Sequence, residues 1–158
     1  MTETLVAQRA DLQSPTLFFG LSSSNTLRPD LFEHFALHAL DGAGTNRRVT
    51  TLADIVPCHV SQISALLRGG ELRVDVALIQ VRRLPEGGLT LGVIADFTQA
   101  MIRAARVVIA LVNPSLPITD GDALVDGNDI DVFVESDDRL IDMPVTVALS
   151  QPHATTLM

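Results

Sequence analysis

Three places in the chain gather side chains able to do chemistry. They are Cys58-His59 with Ser61 two residues on, Ser22-Ser23-Ser24, and the run from Asn113 to Gly121. A histidine beside a thiol or hydroxyl can act as base to a nucleophile. Cys58 would need a positioned base and a lowered pKa for that role, and adjacent residues seldom point at one another. His59 therefore reads either as a side chain that touches a ligand or as a histidine satisfied at a loop–helix junction. The serine triplet follows an apolar run as a nucleophile-elbow serine would, but Ser24 stands where GxSxG ends in glycine. Hydroxyls satisfying loop backbone are the simpler reading there.

Other patterns fail on spacing. Gly42-Ala43-Gly44 has Arg47 where the third glycine of GxGxxG belongs, and it follows a helical pattern rather than a strand, so it reads as a turn. Asp120, Asp122, Asp126, Asp129 and Asp131 suggest calcium, but Leu124 and Val125 occupy the places of an EF-hand ligand and its glycine. No metal site is expected. Arg47-Arg48 and Arg82-Arg83 are the candidate anion contacts, with solvated surface as the competing reading. In Asn113–Gly121, Pro114 and Pro117 restrict φ and stiffen the loop. Asn113 and Thr119 there serve either ligand contact or the loop's own caps.

The elements that must position these residues follow from periodicity. Thr16–Leu21 is a short strand running into a loop. Leu31, Phe32, Phe35, Ala36, Ala39 and Leu40 have helical spacing, with Pro29 at the first turn and Asp41-Gly42 at the end. Arg48–Ile55 fits another short strand. A helix capped by Ser61 presents Ile63, Leu66 and Leu67 and stops at Gly69-Gly70. Val74–Val81 and Val107–Val112 are apolar on both faces, as central strands of a doubly covered sheet are. Between them lie the turn Pro85-Glu86-Gly87-Gly88 and a helix opened by a capping box at Asp96-Phe97-Thr98-Gln99, with Phe97, Met101, Ala104 and Ala105 as its buried stripe. Ile130–Val134 is a last strand. The expectation is one α/β domain over residues 16–142, a mostly parallel sheet flanked by helices, with residues 1–15 and 143–158 as flexible tails. In open α/β sheets ligands bind at the carboxyl ends of the strands. Asn113–Gly121 follows such a strand.

Composition narrows the classes. A net charge of −8 argues against a nucleic-acid or anionic-membrane surface. One cysteine excludes an intramolecular disulfide and suits a reducing, cytoplasmic compartment. No apolar run approaches a membrane span, and no basic-then-apolar leader opens the chain. Trp and Tyr are absent, so stacking platforms built on those rings are excluded.

Asp75-Val76-Ala77-Leu78-Ile79-Gln80-Val81, then Leu91-Gly92-Val93 with Asp96, then Asn113-Pro114, Pro117, Thr119 and Gly121-Asp122 stand in register. Together they resemble the "DVALIQVS", "LGVSxD" and "VNPxxPRTxGD" segments of acetyl-CoA hydrolases and 4-hydroxybutyrate-type CoA-transferases. The looser likeness runs from Leu17 to about Asp142. Ile118 stands where that family has arginine, and Arg82 or Ile94 where it has serine. The resemblance implies a CoA-transferase-like N-terminal domain that helps bind an acyl-CoA and a small carboxylate. Its implied substrate contacts are His59, Ser61, Asn113, Pro114, Thr119 and Gly121. Coenzyme A enters as substrate, with no tightly bound cofactor.

Family members are longer, and their nucleophilic glutamate lies in a second α/β domain. Here Glu3, Glu33, Glu71, Glu86 and Glu135 are the glutamates, and none sits in a sequence like the nucleophile motif. No catalytic residue is identifiable in the chain. The resemblance thus implies an N-terminal half completed by a missing C-terminal domain or a partner subunit. The alternative is a non-catalytic scaffold or regulatory subunit that kept the fold. A homo-oligomer is compatible with either.

Overall fold

The computed structural model describes residues 2–20, 22, 25–40 and 48–141. The N-terminal residues form a short helix, α1 (Thr2–Ala7), although the sequence there has no periodicity. Its Val6 is buried with Leu27, Leu31, Phe35, Leu37 and Val49. Three parallel strands follow: β1 (Thr16–Phe19), β2 (Ala36–Ala39) and β3 (Asp54–Ile55), in that order across the sheet.

β2 corrects the helix expected over Leu31–Leu40. Only Pro29–Glu33 makes a 3-10 turn, and the chain then extends alongside β1. The same apolar residues also satisfy a period of two, because Phe35, Leu37 and Ala39 are buried and Ala36 is exposed. Phe32, which a helix would have put on the stripe, is 51% exposed. The strand expected over Arg48–Ile55 shrinks to Asp54–Ile55, preceded by a turn in which Leu52 N–H bonds Val49 C=O.

α2 (Val60–Gly69) buries Ile63 and Leu67 and ends at Gly70, whose φ of 81° is the left-handed cap that glycine adopts freely. The second sheet holds β4 (Val76–Arg83), β5 (Leu89–Thr90), β6 (Val107–Val112), β7 (Leu124–Val125) and β8 (Val132–Glu135). Their order is β7-β5-β4-β6-β8. β4, β6 and β8 run parallel, and β5 is antiparallel to both its neighbours. The α/β architecture with β4 and β6 central is as expected.

Helix α3 (Thr98–Ala104) links β5 to β6. Asp96 does not cap it in a capping box. Its carboxylate accepts from the Thr98 N–H and hydroxyl, while the Gln99 amide bonds the carbonyls of Asp122 and Leu124 instead of reaching back. The buried residues are Thr98, Ala100 and Ile102 rather than one stripe, because α3 is packed on two sides. Ile102 joins the core over Ala77, Ile79, Val81, Val108 and Ala110, whereas Ala100 joins Ile63 and Leu67 of α2. Phe18 of β1 meets Phe97 edge-to-face at 6.5 Å, which ties the first sheet to this helical layer. The layers are therefore sheet, helix pair, sheet.

β4 is not covered on both faces as expected. Ala77, Ile79 and Val81 are buried, while Val76 and Gln80 are exposed. Residues 142–158, which include the whole of the expected C-terminal tail, lie outside the described residues, as do Ser23, Ser24, Gly42-Ala43-Gly44 and Arg47.

Ile63 has no exposure and sits where α2, α3 and the first sheet meet. Ile63→Ala should cost about 2–5 kcal/mol by lost burial plus a residual cavity, read from the urea midpoint at unchanged slope.

Candidate functional site

The loop from Asn113 to Gly121 leaves the carboxyl end of β6, and its shape follows from hydrogen bonds that the flanking strands supply. Asn113 N–H extends the ladder to Val81 C=O at 2.8 Å. Its side chain, in a residue only 2% exposed, accepts from Ser115 N–H and donates to Asp138 C=O. Arg82 donates to Leu116 C=O at 2.6 Å, and Leu116 is buried. This arginine of the Arg82-Arg83 pair holds the loop rather than an anion.

The far limb of the loop is locked by two threonines. Thr119 donates its hydroxyl to Gly92 C=O at 2.6 Å. Thr90, fully buried, donates to Thr119 C=O at 2.8 Å and accepts from Gly92 N–H at 3.2 Å. The two hydroxyl protons and the Gly92 N–H are thereby all used. Gly92 has φ of 67°, and a Cβ there would meet Leu116 at 3.3 Å and Pro117 C=O at 3.4 Å. Both dihedral and space require glycine.

His59 is the N-cap of α2, a place the sequence reading gave to Ser61. Its Nδ1 accepts from Ser61 N–H at 3.3 Å and lies 2.8 Å from the Ser61 hydroxyl, while Gln62 reaches back to His59 N–H. With Nδ1 accepting, the neutral ring carries its proton on Nε2. Cys58 is half-buried against Ile63 and Leu67, and the neighbouring imidazole is turned to Ser61.

Of the candidate contacts, Gly121 alone lines a concavity, one of about 440 Å³ between α2, α3 and the end of the loop. Pro114 is exposed on the loop. Asn113 and Thr119 are spent on loop ties, and His59 with Ser61 caps a helix outside that lining. The concavity brings in residues that the sequence did not single out: Ser64 and Arg68 of α2, and Arg103 of α3 beside Asp96 and Asp122. Neither guanidinium has a hydrogen-bond or ion-pair partner among the described residues. Each is the basic residue of its helix's last turn, so its sequence position reads as dipole complement. Only the packing of α2 on α3 shows that they share a groove.

Arg83 pairs with Glu135 at 2.7 Å and lies over Phe133. Asp126 caps the turn at Asn128, and Asp131 accepts from Val108 N–H. Among the described residues no three His, Cys, Asp or Glu side chains gather as metal ligands. All the glutamates are exposed. Among the described residues no helix is long and apolar enough to cross a membrane. Among the described residues the arrangement offers a tied loop and two unpaired guanidinium groups, which can position an anionic ligand, but no buried carboxylate or thiol.

Residues 46–146 match the acetyl-CoA hydrolase/transferase N-terminal domain. The chain is 36% identical over 113 residues to the 4-hydroxybutyrate coenzyme A transferase of Clostridium kluyveri, covering 70% of this chain and 26% of that protein. It is 34% identical over 103 residues to a succinyl-CoA:acetate/propanoyl-CoA:succinate CoA transferase of Fasciola hepatica, covering 63% and 22%. In structure it resembles RipA from Yersinia pestis, with a TM-score of 0.82 at 23% identity over 94% of this chain and 38% of that one. The chain thus spans about a quarter of the length of these two curated relatives.

Substitutions at two positions check the local assignments. Gly92→Ala should lose about 1–3 kcal/mol of stability through left-handed strain and crowding against Leu116, measured by denaturant titration. His59→Ala should lose about 1 kcal/mol of cap energy and His59→Asn should recover most of it. A His59 that also contacts substrate would in addition weaken ligand binding, and His59→Asn would restore stability without restoring affinity.

Proposed function

The chain belongs to the acetyl-CoA hydrolase/transferase family, and from that premise we propose that it is the acyl-CoA-binding N-terminal half of a CoA-transferase or acetyl-CoA hydrolase. It receives acyl-CoA and a small carboxylate at the Asn113–Gly121 edge, and the attacking glutamate comes from a second domain or subunit. CoA is a substrate in this reading, no cofactor is tightly held, and the compartment is the cytoplasm. Pro114 and Gly121 are the proposed contacts on the loop, and His59 and Ser61 are proposed contacts at the start of α2. Asn113 and Thr119 set the loop's shape for them.

The observation that carries this reading is the contrast between loop and carboxylates. The loop is tied at both limbs, whereas every glutamate is exposed. Covalent exchange needs a carboxylate that accepts the acyl group and then CoA in turn, with donors aimed at the oxyanion in a site closed to water. The chain supplies one preorganised wall of such a site. Ile118 favours the second reading, a scaffold or regulatory subunit. It puts an apolar side chain, 46% exposed, where the resembling loops carry arginine.

The test is turnover of acetyl-CoA with a carboxylate acceptor, by the chain alone and mixed with the C-terminal part of a related transferase. The chain alone should show no enzymatic rate, and the mixture should exchange CoA. Turnover by the chain alone, abolished by a point change within it, would place the nucleophile here. A mixture that neither binds CoA nor turns over would leave the scaffold.

A further inference from the structure

Side chains of β4 and β6 alternate between two faces, and one of these is closed by α3 through Ile102 and Met101. On the other, the register sets Val76 beside Val107, Leu78 beside Ile109, Ile109 beside Val132 and Leu111 beside Val134. Leu124 joins them, being paired with Thr90, which is paired in turn with Arg82. Val76 is 50% exposed and Val132 44%, and Val107, Val134 and Leu124 are exposed as well. The loop covers only the carboxyl end of this face, where Arg82 and Thr90 hold it. None of the three helices covers the rest: α3 packs on the opposite face, α2 against α3, and α1 against the first sheet.

Parallel strands occur almost only with both faces buried. Among the described residues the winding does not supply the second cover. The crossover from β4 to β6 carries α3 on the closed face, and Ile130, leading into β8, packs there too. Crossovers between parallel strands are right-handed. Further strands added beyond β8 would therefore again place their helices on the closed face. The cover must come from outside this winding.

We propose that the open face is the docking surface for the second α/β unit of the enzyme, which lays an uncharged, amphipathic helical surface across Val76, Leu78, Val107, Ile109, Val132 and Val134. This rests on the reading that such a unit completes the site. Two observations choose this occupant over a second copy of the chain. The matched part is only 26% of the Clostridium relative and 38% of RipA, so each carries more polypeptide than the match itself. A second copy would also bring two chains of net charge −8 together, which electrostatic repulsion opposes. The face itself carries Gln80 as its polar side chain along β4 below Arg82.

The test mixes the chain with the purified C-terminal part of the Clostridium relative and follows association by sedimentation. Val76→Lys and Val132→Lys should each weaken association at least tenfold. Phe32→Lys and Ile55→Lys, equally exposed apolar positions on other elements, should leave it unchanged. Circular dichroism and melting verify that each variant folds. Should a lysine variant unfold, amide exchange on the unaltered chain answers instead, with new protection of β4, β6 and β8 expected on mixing. Equal association by all four variants, no association, or protection confined to other elements overturns the proposal. So does a dimer of the chain alone that Val76→Lys dissociates. Docking without turnover would remove the catalytic reading and keep this surface, whereas turnover with the face unprotected would do the reverse.

Discussion

Six consecutive parallel pairings, from Val76 with Val107 to Val81 with Val112, place the carboxyl ends of β4 and β6 on one edge of the sheet. Much of the site follows from that alignment. Asn113 N–H finds Val81 C=O because the ladder simply continues. Arg82, one residue further along β4, is then within reach of Leu116 C=O. Because the strands are parallel, the chain must also return across the sheet between them, and α3 is that return. The antiparallel β5 brings Thr90 beside Arg82 and so delivers the hydroxyl that locks Thr119.

The residues that were legible in the sequence are those whose neighbours in the chain are also their neighbours in space. β4 and β6 announced themselves as apolar runs, and Gly70 ends α2 as a glycine pair predicts. β2 was misread because Leu31–Leu40 satisfies two periods at once. A strand won because β1 and β3 offer it backbone partners and no helical surface lies there to receive Phe32. His59 was visible as a polar side chain at a helix start, but Ser61 looked like the better cap. A ring nitrogen is placed to accept as well as an oxygen, and Gln62 completes the reciprocal bond. Thr90 offered the sequence little, since Gly92 N–H is its local partner two residues on but Thr119, which it locks, lies across a loop.

The cations divide in the same way. Arg82 and Arg83 looked like an anion site because they are adjacent, yet adjacency in a strand points them to opposite faces. One holds the loop and the other lies over Phe133 against Glu135. Arg68 and Arg103 are thirty-five positions apart in sequence, and packing of two helices brings them to one concavity. A pair of arginines gathered by tertiary structure, here with Asp96 and Asp122 beside them, is invisible to any count of local charge.

On the proposed reading, acyl exchange requires fixed geometry and exclusion of water, and different parts of this architecture bear on the two. Geometry belongs to the chain itself. Thr90 is wholly buried, so the hydroxyl lock on the loop exchanges little with solvent and does not wait for a ligand or a partner. A loop already held in one shape would cost little ordering entropy on binding a ligand. Dryness is a different matter, because the concavity beside Gly121 is rimmed by exposed Arg68, Arg103 and Asp122. Charges there interact through water and are worth little until a covering surface removes it. A second unit seated on the open sheet face would be anchored to the same strands that aim the loop. Its carboxylate would then be positioned relative to the loop through β4 and β6, whose pairing also fixes where the loop begins.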